Sequence, residues 1–166
     1  LPKVLSWMVS FLMLCVVWVN HHRLLSQIGP ITHAVFWLNA NLLMWCSFVP
    51  FPTALLGDYL TNPLSAGVFG GVMAGMSLSF TLIRLHVQRR PDLLTAGVDL
   101  TRFVRTSRQS LFFGPLLYAL GAAATLISPW LALAVFGFVP GYFICFNSQP
   151  AQAGPHPGDG GAAAAR

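Results

Sequence analysis

Long hydrophobic runs, broken by charge at only a few places, organise this chain. No Asp, Glu, Lys or Arg occurs from Val4 to His22, from Leu24 to Gly57, from Tyr59 to Ile83, or from Gln109 to Gly158. A membrane-spanning helix needs about 20 largely apolar residues. Each of the first three intervals therefore holds one span. The last holds two, divided where Ser128-Pro129-Trp130 supplies a turn and an interfacial aromatic. The pattern predicts spans over about 4–19, 33–48, 64–85, 111–127 and 130–146, with the second running on through Val49-Pro50-Phe51-Pro52 to Gly57. Residues 1–146 are expected to form one transmembrane helical domain. The Gly-, Pro- and Ala-rich stretch 147–166 cannot bury a core and is expected to be a disordered cytoplasmic tail.

Composition strengthens this reading. Of 166 residues, 55% are hydrophobic and 8% charged, against roughly 25% charged in a soluble domain. Too few charges exist to solvate a globule, so the fold class is all-α, a polytopic membrane protein with five helices in this chain. The first stretch lacks a small-residue cleavage site and runs into Trp18, Asn20, His21, His22 and Arg23, so it reads as a span and not as a signal peptide. Cys15, Cys46 and Cys145 sit singly in apolar stretches, without the spacing of a disulfide framework or a metal site.

Charge placement gives orientation. Arg84, Arg89, Arg90, Arg102, Arg105 and Arg108 cluster between the third and fourth spans, opposed only by Asp92 and Asp99, which makes that loop cytoplasmic by the positive-inside rule. Arginines that flank two spans are a topology signal, and no nucleic-acid partner is expected. Traced outward, the His21–Arg23 region and the tail are cytoplasmic, the Asp58 loop is outside, and the first span begins outside. A multispan protein without a signal sequence commonly starts in the cytoplasm, and residue 1 is Leu, not Met. One further helix upstream, six in the full subunit, is the expectation.

Small residues mark packing faces. Gly67, Gly71, Gly75 and Ser79 recur every fourth residue beside Ala66, Gly70 and Ala74, and Gly137 and Gly141 repeat the spacing near Pro140. Such ridges let helix backbones approach closely in lipid, and a Gly-rich gating hinge is the alternative. Ser6 and Ser10 share a face and could meet water or another helix.

No catalytic constellation is present. The carboxylates Asp58, Asp92, Asp99 and Asp159 fall in expected loops or the tail, and no metalloprotease motif, phosphate loop or acid–base pair occurs, so no enzyme, cofactor or metal site is expected. What remains is uncharged polarity. His21 and His22 close the first span, and His33, Trp37, Asn39 and Asn41 open the second. Trp37 and Asn41 share a helix face while Asn39 points elsewhere. An Asn inside a membrane needs a partner, which must lie on a neighbouring helix. Adjacent histidines diverge by about 100° on a helix, which disfavours haem or metal ligation. Two readings of His21 and His22 stay open: solvated interfacial residues, or members of an interhelical hydrogen-bond network.

The strings Trp18-Val19-Asn20-His21-His22-Arg23-Leu24, Phe36-Trp37-Leu38-Asn39 and Phe48-Val49-Pro50-Phe51-Pro52-Thr53-Ala54-Leu55-Leu56-Gly57 resemble, in order, the bacterial branch of the transmembrane protein 175 potassium channel family. The match covers about Leu1 to Gly57; from Leu64 onward only helix count and the basic loop agree. The resemblance implies a homotetrameric, potassium-permeable leak channel of the bacterial inner membrane, with six helices per repeat and both termini in the cytoplasm. It also implies a first helix that lines the pore, forms a hydrophobic constriction and carries an Arg-x-x-x-Phe-Ser-Asp motif. By position, His21 would lie on the second helix and Trp37 and Asn39 on the third, holding that motif by hydrogen bonds. No Arg-x-x-x-Phe-Ser-Asp occurs in this sequence, and its first span aligns with the family's second helix. The expected partners are membrane lipid, potassium ions and further copies of the chain. A non-conducting membrane scaffold, or a degenerate relative without the pore helix, is the alternative. A small-solute transporter is weaker, because no charge is expected at membrane depth.

Overall fold

A computed structural model describes residues 2–146, all helices and connecting turns; the expected tail, 147–166, lies outside the described residues. The elements are α1 (Pro2–Leu25), α2 (His33–Phe48), α3 (Pro50–Asp58), α4 (Pro63–Arg89), α5 (Leu100–Leu111), α6 (Leu117–Ala124) and α7 (Pro129–Phe146). Among the described residues there is no strand, only one antiparallel bridge between Ile28 and Leu94. Three rods are long and apolar enough to cross a membrane, Ser6–Leu25, His33–Asp58 and Pro63–Arg89, and Pro129–Gly141 is a shorter apolar helix.

Local chemistry sets the boundaries. The α1 helix runs past the expected end at Val19 to Leu25, because nothing between Lys3 and Leu25 breaks it and Gly29-Pro30 comes only later. His21 and His22 are therefore helical, not loop, residues. Thr32 caps α2 by accepting a hydrogen bond from the Val35 amide at 3.3 Å. Pro50 has no N–H to return to Cys46, so α2 ends there; Val49 stays in the right-handed region at φ −51° and Pro50 opens α3. The two form one kinked rod. Asn62 accepts from the Leu64 amide at 2.9 Å and Pro63 opens α4, the longest helix at 27 residues.

The region between the third and fourth spans differs from a plain loop. After a single 3-10 turn at Pro91–Leu93 and a reversal through Gly97, whose φ of +89° only glycine adopts easily, Asp99 caps α5 by accepting from the Thr101 amide at 2.8 Å. The α5 helix is amphipathic, with Phe103 and Ser107 buried and Arg102, Arg105 and Arg108 exposed. It runs straight into the expected fourth span. There Pro115 lacks an N–H and crowds the preceding turn, and the chain widens into a π-helical turn at Phe112–Leu116 before α6 begins. The predicted helix over 111–127 is thus a composite ending in a turn beyond Ala124.

At the centre stands α4, touching α2, α3, α5, α6 and α7. Phe69, Met73, Met76, Ile83 and Val87 bury one side of it, and Phe69 and Tyr118 flank Phe136 of α7 at ring separations of 5.1 and 6.1 Å. The α1 helix leans on α3 and α7. At one end two loops are zipped together: the Gly29 amide donates to Leu93 O at 2.9 Å and the Thr95 amide to Gln27 O at 3.0 Å. This fixes the C-terminal ends of α1 and α4 on the same side of the bundle, next to the arginines.

Candidate functional site

Near that basic end, polar residues tie three helices together. His21 of α1 meets Asn39 of α2, Nε2 to Oδ1, at 2.6 Å. An amide oxygen only accepts, so the contact places the proton on Nε2. The His21 ring also lies 6.4 Å from Phe80 of α4, edge to face, and 6.1 Å from Trp18 one turn back. Two residues on, Asn41 donates from Nδ2 to Ser79 Oγ on α4 at 2.7 Å, and Ser79 in turn donates to Gly75 O at 2.9 Å. The α2 helix is thus bonded to α1 through Asn39 and to α4 through Asn41. Interhelical bonds of this kind are worth about 0.6 kcal/mol, and up to about 1.7, in a membrane.

Trp37 does not join this cluster. Its indole N–H donates to Nε2 of His33 at 2.9 Å, one turn back on the same helix, and its ring is 59% exposed. Ser10 is buried and donates to Ser6 O, while Ser6 Oγ rests where a Cβ on Gly57 would be.

The small-residue stripe divides. A Cβ on Gly75 would lie 2.8 Å from the Trp45 indole, so only glycine lets that ring lie against α4. Gly67, Gly71, Gly137 and Gly141 face open space, with nothing within 4 Å of a Cβ. Gly70, from the row beside the stripe, packs against Ala122 and Phe136, and two glycines not singled out in the sequence also make close approaches: Gly121 against Phe136 and Gly114 against Ser77.

One charged residue was missed as a site. Arg84 counts in the sequence as part of the basic loop, but it lies inside α4. Its Nε and Nη1 atoms are buried without a hydrogen-bond partner among the described residues, and its guanidinium sits 5.6 Å from the Phe103 ring of α5. The signal was available: Arg84 lies more than a turn before Arg89, still within the apolar face Phe80-Ile83-Val87. Arg84 looks onto a partly open cavity of about 280 Å³ bordered by α1, α4, the α5–α6 rod and α7. Met13, Met73, Met76, Phe113, Tyr118 and Val139 line its apolar part; Asn20, Thr106 and Gln109 join Arg84 at the basic end. An arginine is always charged, and burial of an uncompensated ion costs several kcal/mol. Among the described residues no group of three His, Cys, Asp or Glu is placed to hold a metal.

Long apolar rods around a central helix, joined by part-buried polar pairs and carrying arginines at one end, define a polytopic α-helical membrane protein. Residues 1–50 match the family model described as endosomal/lysosomal potassium channel TMEM175. A potassium channel of Chamaesiphon minutus is 37% identical over 145 residues, covering 86% of this chain and 71% of that protein. One of Streptomyces collinus is 33% identical over 153 residues, covering 90% and 73%. The crystal structure of a lysosomal potassium-selective channel TMEM175 homolog from Chamaesiphon minutus superposes with a TM-score of 0.75 at 32% identity, over 89% of this chain and 75% of that one. The chain belongs to the TMEM175 family.

Proposed function

We propose that the protein is a subunit of a homotetrameric, potassium-permeable leak channel of the bacterial inner membrane, whose ions pass a central pore through a hydrophobic constriction. The observation that carries this reading is the similarity in fold and sequence to the potassium-selective TMEM175 homolog. Two relatives named potassium channels, at 37% and 33% identity, support it. Selectivity in this reading rests on partial dehydration at the constriction and not on a carbonyl filter. In this reading His21 and Asn39, bonded to each other, and Trp37, oriented by His33, form the support against which the pore-lining helix is held. Lipid covers the remaining apolar surface.

Flux measurements test the proposal. The full-length protein, reconstituted in liposomes under an outward potassium gradient, is expected to conduct potassium in preference to sodium without an activating ligand. Absence of flux for either ion would favour the non-conducting scaffold, and equal flux of both would overturn potassium selectivity.

A further inference from the structure

The proposed function assigns no role to Arg84 or to its cavity. We infer that this cavity is a binding site for an anionic amphiphile, with one acyl chain between α1, α4 and the α5–α6 rod and a carboxylate or phosphate head on Arg84. Three observations lead there. First, the cationic Nε and Nη1 are buried and unpartnered among the described residues. The described carboxylates are all placed elsewhere: Asp92 lies 3.5 Å from Arg90, Asp99 caps α5, and Asp58 ends α3 at the opposite end of the bundle. Among the described residues no carboxylate pairs with Arg84.

Second, the charged and amide side chains of the cavity gather at one end, and away from it only the Ser77 and Tyr118 hydroxyls interrupt an apolar lining. From Arg84 to Met73 along α4 is about 16 Å at 1.5 Å per residue, and the lining changes along it from Asn20, Arg84, Thr106 and Gln109 to methionines and aromatic rings. This is the profile of a head and a tail. Its volume of about 280 Å³ lies just below the range of small-molecule sites, about 300–1,000 Å³, the scale of a segment of one acyl chain and not of a whole two-chain lipid. Third, a path leads in. A groove on the outer face of α5, lined by Thr101, Val104, Arg105 and Arg108, shares Gln109 and Phe113 with the cavity. Its exposed arginines attract anionic headgroups to the entrance. Waters alone would satisfy the guanidinium but leave unexplained the methionine- and phenylalanine-lined remainder.

The test uses the full-length protein in a neutral detergent, with oleate, methyl oleate, dioleoyl phosphatidylglycerol and dioleoyl phosphatidylcholine as probes of thermal unfolding, and a diazirine-bearing palmitate for photolabelling. Oleate or phosphatidylglycerol should raise the melting temperature, and methyl oleate and phosphatidylcholine should not. Label should map to the peptides containing Met73–Met76 and Phe113–Tyr118. Arg84→Gln should reduce labelling about tenfold or more, the loss expected for a charge-assisted pair, and Arg84→Lys should retain part of it. A response to oleate alone identifies a free fatty acid, to phosphatidylglycerol alone a chain of a membrane phospholipid, and to both the shared head chemistry; each supports the site. Equal stabilisation by methyl oleate, no stabilisation by either anion, or label confined to the outer face of α5 would overturn it. The ester comparison and the mapping are made on the wild-type protein, so they decide the matter even if Arg84→Gln does not fold. The outcome is independent of whether the protein conducts potassium.

Discussion

At His21 a single ring meets three helices: its own through Trp18, α2 through Asn39 and α4 through Phe80. The sequence left two readings of this residue open, and they differ in energy. A solvated interfacial histidine has no coupling to Asn39, whereas a member of an interhelical pair does. In a double-mutant cycle of His21→Ala and Asn39→Ala, followed by unfolding in mixed micelles, the 2.6 Å bond predicts a coupling of about 0.6–1.7 kcal/mol. A coupling near zero would return His21 to the solvated class. Need for a partner was legible at Asn39 and Asn41, because an amide at membrane depth demands one. Which partner was not, since Asn41 finds Ser79 from 38 residues away. Trp37 shows the same limit from the other side: its helix position was clear, but its bond to His33 satisfies the indole locally.

Element by element, periodicity revealed that α4 carries a stripe of small residues but not which of them a neighbour occupies. That depends on the shape of the facing helix, and two successive members of the stripe now make opposite predictions. At Gly75 a larger side chain must displace the Trp45 ring, so Gly75→Leu should destabilise the monomer by about 1–3 kcal/mol through overpacking. At Gly71, with open space around it, Gly71→Leu should be neutral or slightly stabilising, since leucine favours a helix over glycine by somewhat under 1 kcal/mol. Chemical unfolding in detergent compares them, and equal destabilisation would refute the assignment. Hydropathy also located every apolar segment but merged α5 into a loop. The arginines that lowered its mean hydropathy are the polar face of an amphipathic helix, packed through Phe103 and Ser107. The π-helical turn was equally hidden, because Pro115 marks a disturbance in a helix without specifying how the chain absorbs it.

Across the whole molecule, orientation follows from coupling charge to connectivity. The hydrogen bonds Gly29–Leu93 and Thr95–Gln27 hold the α1–α2 and α4–α5 connections side by side, so both must lie on one face of the membrane. The α2–α3 rod then has to deliver Asp58–Asn62 to the other face before α4 returns. Arg89, Arg90, Arg102, Arg105 and Arg108 cluster near the first face, and the positive-inside rule predicts that this face is the cytoplasmic one. A cysteine-free background with single cysteines at Ser26, Thr95 or Thr61, all exposed positions, tests this in spheroplasts with a membrane-impermeant maleimide. The cysteine at position 61 should label in intact cells, and those at 26 and 95 only after permeabilisation. If 26 and 95 label together from outside, the bundle is inverted and the positive-inside argument fails while the loop pairing stands. If 26 and 95 label from opposite faces, the pairing itself is wrong, and with it the parallel placement of α1 and α4 that brings Asn20 and Arg84 to the same end of the cavity.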